Sequence, residues 1–177
     1  MKMYNIKEVI KEHFFTKPTD KLRVREIERV LKLSLPSVIR YCKELEKEKI
    51  LTLIKIGNVI LYTADRNSDR YILEKKLYNL KILFESQLIE YLKIEFNNPG
   101  IILFGSFAKG EDIEKSDIDL YLETPSKKQV NLEKYEKKLD REIQIIQNKG
   151  LKEISNIHLA NNIINGVILN GFIEVFK

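Results

Sequence analysis

Between Gly105 and Glu123 the chain reads "GSFAKGEDIEKSDIDLYLE", directly after the apolar run Ile101-Ile102-Leu103-Phe104. Gly100 to Phe104 is short, continuous and apolar, as a buried strand reads, and Gly105-Ser106 ends it. Phe107-Ala108-Lys109 starts a short helix, with Gly110 as its terminator. After an acidic loop, Asp117 to Glu123 alternates: Asp117, Asp119 and Tyr121 lie on one face, and Ile118, Leu120 and Leu122 on the other. Two residues of strand rise separate the two carboxylates by about 6.5–7 Å, near enough for both side chains to converge on one cation. Aspartate is a poor strand former, so a pair opening an otherwise apolar strand needs a chemical reason.

Phosphoryl or nucleotidyl transfer supplies one. Gly105 has no Cβ and lets phosphate oxygens approach the backbone. Ser106 offers a hydroxyl, the helix start behind it offers free N–H groups, and Lys109 adds positive charge. Asp117 and Asp119 suit Mg²⁺, a hard cation that takes carboxylate and phosphate oxygen. The candidate nucleotide-binding residues are thus Gly105, Ser106, Lys109 and Ser116, with Asp117 and Asp119 as metal ligands and catalytic residues.

Working back toward the N-terminus, Tyr4, Ile6, Val9, Ile10, Phe14 and Phe15 recur at helical spacing. A second short helix fits Val24 to Leu31, with Val24, Ile27, Val30 and Leu31 inward. In "LSLPSVIRYCKELEKEKI" Ser34 reads as an N-cap and Pro36 as a first-turn proline. Val38, Cys42 and Leu45 then share one face, which makes Cys42 a small core residue rather than a reactive thiol. "ILTLIKI" and "VILYTA" flank Gly57-Asn58, a hairpin signal. Three helices and a hairpin give the winged helix-turn-helix order, and Ser34 to Ala64 resembles winged-helix transcription regulators. If this part binds DNA, Ser37, Arg40 and Tyr41 lie nearest the bases, and Lys43, Lys47 and Lys55 serve phosphates. The other reading is a dimerisation or protein-docking module. The wing tip carries no charge beyond Lys55, and Glu44, Glu46 and Glu48 sit on the third helix.

Charge is segregated along the chain. Residues 1–66 hold 15 Lys/Arg against 9 Asp/Glu, and residues 67–177 hold 16 against 17. All of the basic excess lies in the first third, which fits a nucleic-acid partner for that part. From Ser68 to about Phe96 there is neither Pro nor Gly, which predicts one long helix stopped by Asn97-Asn98-Pro99-Gly100. Leu73, Leu77, Leu80 and Phe84, continued by Leu88 and Tyr91 or Leu92, form a coiled-coil-like stripe, with a second apolar face beside it. Such a helix either packs on both domains or forms a homodimer seam. The expected organisation is a winged helix over 1–66, a connecting helix over 67–98 and an α+β catalytic-type domain with a mixed sheet over 99–177.

Beyond the acidic strand, Lys127 to Leu139 reads as a helix with Leu132, Tyr135 and Leu139 inward, followed by a strand over Arg141 to Ile146. "ISNIHLANNIINGVILNGFIEVF" reads as a helix closed by Gly166 and two β-rich runs about Asn170-Gly171. His158 reads as structural; Asn161, Asn162 and Asn165 are adjacent polar residues that read as capping or solvated, the other reading being that they face the active cleft. No apolar run approaches the roughly 20 residues of a membrane helix. A single Cys and two His make a disulfide or zinc site unsuitable; the first residues read without a signal-peptide pattern, and the expected location is the cytoplasm.

The spacing Gly-Ser, ten residues, Asp-x-Asp, with "LFGS", "A-x-G" and "SDIDL" in their order, resembles the DNA polymerase beta nucleotidyltransferase superfamily, and within it the minimal nucleotidyltransferases. The resemblance implies Mg²⁺, ATP or another nucleoside triphosphate, and transfer of a nucleoside monophosphate, often AMP, to an acceptor that in some relatives is a protein. In that family a third carboxylate comes from a later strand. Here its position aligns with Gln144, a neutral amide that neither accepts a proton nor gives charge to a metal. Glu142, two residues earlier and on the same face, is the candidate substitute. The alternative is a DNA-binding regulator whose nucleotidyltransferase fold binds nucleotide or mediates dimerisation without catalysis.

Overall fold

The computed structural model describes residues 5–173. The chain divides into two compact units, Met1–Tyr78 and Asn79–Lys177. Tyr4, expected in the first apolar helix face, and the run beyond Ile173 lie outside the described residues.

In the first unit, α1 (Ile6–Thr16) is capped by the Asn5 side chain, which accepts from the Lys7 and Glu8 N–H groups, and it buries Ile10, Phe14 and Phe15. Helix α2 (Val24–Leu31) opens with the Glu26 carboxylate accepting from the Arg23 N–H at 2.7 Å. Only Ile27 on α2 is fully buried; Val30, expected inward, is 55% exposed. At about 100° per residue it lies roughly a quarter turn off the face shared by Val24, Ile27 and Leu31, and two helical turns do not bring it back. Helix α3 (Leu35–Lys47) carries Pro36 in its first turn and buries Val38, Cys42 and Leu45 as expected. Ser34 stands at the N-cap position, but its hydroxyl donates to Ser37 Oγ instead of accepting a backbone N–H.

Strands β1 (Leu51–Ile56) and β2 (Val59–Ala64) pair antiparallel from Leu51↔Ala64 to Ile56↔Val59. Gly57 turns the hairpin at φ +59°. Two side chains from the following helix α4 (Asp69–Glu85) finish α1: Tyr71 Oη donates to the Phe14 carbonyl at 2.9 Å and Lys75 Nζ to the Phe15 carbonyl at 2.5 Å. Lys75 is fully buried, and a carbonyl at a helix C-terminus, where partial negative charge collects, is what a buried ammonium requires.

The predicted long helix is two helices, α4 and α5 (Leu88–Glu95). The buried Ser86 hydroxyl donates to the Leu83 carbonyl and accepts from the Leu88 N–H, replacing backbone bonds that a continuous helix would make. Gln87 takes the left-handed conformation at φ +69°. Of the apolar stripe, Leu88 and Leu92 are buried, while Leu73, Leu77 and Phe84 stay about half exposed.

The second unit is a four-stranded mixed sheet in the order β5-β4-β3-β6, built from β3 (Gly100–Phe104), β4 (Ile118–Glu123), β5 (Ile143–Asn148) and β6 (Val167–Asn170). Strand β3 pairs antiparallel with β4 and β6, and β4 pairs parallel with β5. Ile118, Leu120 and Leu122 enter one core with Leu83, Leu88, Leu92 and the short helix α6 (Gly105–Lys109). Tyr121 enters a smaller core on the opposite face with Ile102, Phe104 and Ile163, so the alternation read from the sequence holds.

The helix expected over Lys127–Leu139 is only α7 (Glu133–Leu139). Upstream, Ser126 Oγ accepts from the Lys128 N–H and Asn131 Oδ1 from the Glu133 N–H, local bonds that compete with helix. After the helical turn Leu151–Glu153 comes α8 (Ile157–Ile164), on which His158 is exposed. The run before Asn170-Gly171 is β6, which pairs antiparallel with β3; most of the second run of the expected hairpin lies outside the described residues.

Gly166 ends α8 for a reason of space, since a Cβ there would meet the Leu103 carbonyl oxygen, Ile102 Cγ2 at 2.6 Å and the Ile163 carbonyl oxygen at 2.9 Å. Gly166→Ala is therefore expected to lower unfolding stability by about 1–3 kcal/mol, the usual cost of overpacking. A chemical denaturation midpoint equal to that of the wild type would contradict it. Among the described residues no helix is long and apolar enough to cross a membrane.

Candidate active site

Strand β4 is flanked on both sides where its first residues lie. In register, Asp119 is opposite Phe104 of β3 and opposite Gln144 of β5. Gly105 follows Phe104 immediately, at φ +75°, and a Cβ on it would run into the Asp119 carboxylate. The glycine therefore does more than its place in the sequence suggests, because it makes room for the partly buried Asp119 carboxylate. Asp117 precedes β4 by one residue and is half-buried; its Oδ2 accepts from Gln144 Nε2 at 2.6 Å.

Burial, followed by the nearby charge of Asp117, holds the Asp119 carboxyl above the usual carboxylate range. Its charged form thus costs the ligand-free fold free energy above the raised pKa, and the cost is relieved as pH falls through it. Asp119→Asn is therefore expected to make the ligand-free protein slightly more stable near pH 7, the effect being modest because the carboxyl is only partly buried. The difference should vanish at pH values where Asp119 is protonated. A variant less stable than wild type at pH 7 would contradict this.

Other residues singled out in the sequence surround the pair. Ser106 lies half-buried in α6, and its carbonyl accepts from the Glu111 N–H. Lys109 is exposed at the end of α6. Ser116 and Ile113 brace the acidic loop, the Ser116 hydroxyl accepting from the Ile113 N–H at 2.9 Å and the Ser116 N–H donating to the Ile113 carbonyl at 3.0 Å. Glu142 falls just before β5, where its carbonyl accepts from the Ile118 N–H, and it lines an open cleft with Glu114, Lys115, Ser116 and Asp117. Gln144, not Glu142, is therefore the residue beside Asp119.

Two carboxylates without a third acidic, His or Cys neighbour are what this site offers; among the described residues no group of three such ligands forms. That donor set fits Mg²⁺, which commonly takes one or two carboxylates and completes its shell with water and substrate phosphate. Asp119, whose charge is disfavoured in its present surroundings, is a residue that a cation would relieve.

Residues 85–166 match the family model for a nucleotidyltransferase domain. The match runs from the end of α4 to Gly166 and includes every residue of the Gly105, Asp117, Asp119 and Gln144 constellation. It supports the nucleotidyltransferase superfamily for this part of the chain, and with it nucleotidyl transfer in general. No curated protein and no solved structure gives a significant match to the chain.

Outside the matched segment, the residues expected to face DNA are on α3 and β1. Lys43, Lys47 and Lys55 are exposed. Arg40 is exposed too, but its Nε binds Glu44 at 3.0 Å and its guanidinium lies 4.9 Å from the Tyr41 ring centre. Tyr41 is partly buried against the first core and Ser37 accepts from Ser34. Lys7 of α1 lies 3.8 Å from Glu44 and 2.6 Å from Glu48, which offsets part of the acidity of α3. Sequence reasoning missed a buried group under the active loop, Asp112 with Asn79 and Arg141. Asp112 sits among Glu111, Glu114 and Asp117, and nothing in the string separates the one buried acid from its neighbours.

Proposed function

We propose that the second unit binds a nucleoside triphosphate together with Mg²⁺ and transfers its nucleoside monophosphate, AMP when the donor is ATP, to an acceptor. One observation carries the reading: the pairing of β3 and β4 sets the Asp119 carboxylate against Gly105, with Asp117 two residues before it, inside the segment that matches a nucleotidyltransferase domain. Asp117 and Asp119 hold the cation, which supplies Lewis-acid stabilisation of the phosphate oxygens. Ser106, Lys109 and Ser116 orient the phosphates. Glu142, which lines the same cleft as Asp117, is the carboxylate assigned to take the proton of an acceptor hydroxyl. The first unit, in its winged-helix reading, holds DNA or a protein acceptor, and a second copy of the chain is the expected cover for Leu73 and Leu77. The protein works in the cytoplasm. The test is an α-labelled nucleotide panel with native cell extract, and a complete lack of label that depends on Asp117 and Asp119 would sink the enzyme reading.

A second reading is favoured by the Gln144 amide bound to Asp117 where the family places a carboxylate. In it the domain binds nucleotide without transfer, and α3 reads DNA. This predicts a salt-dependent mobility shift in which Lys43→Ala lowers the slope of log affinity against log salt by about 1, as the loss of one phosphate contact does. Absence of DNA affinity at low salt would remove this reading.

A further inference from the structure

Asp112 is a buried acid with a place in the site but no place in its chemistry. It is 1% exposed in the loop between α6 and β4. Its Oδ1 accepts from Asn79 Nδ2 at 2.7 Å, and Asn79, itself 2% exposed, also donates to the Phe107 carbonyl of α6 at 2.9 Å. Its Oδ2 faces Arg141 Nη2 at 3.9 Å, and that side chain is nearly buried as well. Arg141 immediately precedes Glu142, and its own N–H donates to the carbonyl of Glu136 in α7.

A charged carboxylate is expensive to bury, and a loop of Glu, Lys and Ser provides many ways to leave it in water. Its burial here brings together the three pieces that carry the candidate site. Asn79 ties it to α6, which holds Ser106 and Lys109. Its own loop leads through Ser116 to Asp117. Arg141 ties it to the entrance of β5, which places Glu142 and Gln144.

We propose that Asp112 is a positioning residue: the Asn79–Asp112–Arg141 group locks the 110–117 loop so that Asp117 meets Asp119 and Gln144 at one depth. This rests on the nucleotidyltransferase reading above, for which the lock sets the geometry of the metal ligands. Asp112 itself touches neither nucleotide nor cation.

The full-length chain with Asp112→Asn, which keeps the shape and removes the charge, tests this. Two measurements are made: ATP affinity with and without Mg²⁺, and backbone hydrogen exchange by peptide. The expected result is about a tenfold loss of Mg²⁺-dependent ATP affinity, with little change in affinity measured in EDTA, and faster exchange confined to residues 110–118 and 141–144. Arg141→Met should reproduce the pattern, which protects the test should one variant fail to fold. Unchanged Mg²⁺-dependent affinity in a folded variant overturns the proposal, as does exchange that rises evenly across all four strands, the mark of a merely structural group. A wild type that shows no Mg²⁺-dependent ATP affinity overturns the nucleotidyltransferase reading itself, and is recognised because it fails before any variant is compared.

Discussion

Replacing Asp117 and Asp119 together by alanine is expected to remove nucleotide transfer by at least about 10³-fold and to abolish the Mg²⁺ dependence of ATP binding. In the proposed reading each carboxylate would hold one edge of the same cation site, and a bound metal would supply several kcal/mol of stabilisation to a transferring phosphoryl group. At about 1.4 kcal/mol per tenfold, that alone gives the stated loss. The fold should survive. Asp117 is not a core residue, Asp119 is only partly buried, and taking away two neighbouring like charges relieves their repulsion. A melting curve at or above that of the wild type, combined with lost labelling, is therefore the signature of a metal site. Transfer that persists in the folded double variant would mean that the chemistry lies elsewhere.

Gln144→Asp is expected to act in the opposite direction. The residue sits beside Asp119 across the parallel β4–β5 pairing and donates to Asp117 at 2.6 Å. The amide thus restrains the ligand pair but brings no charge and takes no proton. An aspartate there would add both, and general-base assistance alone is worth about 10²–10⁴-fold. It also would exchange a hydrogen-bond donor for a third negative charge. The variant should consequently melt below the wild type without metal and recover when Mg²⁺ is added, a response that needs no acceptor to be known. A rise in labelling identifies Gln144 as the element that restrains catalysis. Equal labelling from a folded, Mg²⁺-responsive variant would place the limit in the acceptor step and return attention to Glu142.

Much of this site was legible because its constraints are local. A strand, a glycine, a short helix and an Asp-x-Asp strand follow each other within 24 residues, and period-two alternation settles which side chains share a face. The same holds for Val38, Cys42 and Leu45, whose spacing alone assigns them to a core. Features that depend on a distant partner were not legible. Lys75 reads as one more polar helix residue, and only the fold shows the Phe15 carbonyl awaiting it. Ser86 and Gln87 are ordinary in helices, and the break between α4 and α5 depends on a hydroxyl choosing the Leu83 carbonyl. Gly105 reads in the sequence as a residue that lets phosphate approach; the group the structure sets against it is the Asp119 side chain, a partner fourteen residues away that the register of β3 and β4 delivers.

The inert cysteine has a practical consequence. Cys42 is the chain's one thiol, it is fully buried in the first unit, and burial pushes its pKa up to about 12. In the native state it presents almost no thiolate to a reagent. A thiol-specific label can therefore enter only when the first unit opens, and its rate of uptake becomes a clock for that opening. The second unit contributes nothing to the signal. Nucleotide or DNA added to the unmodified protein can thus be followed, without any engineered probe, by whether it slows that clock.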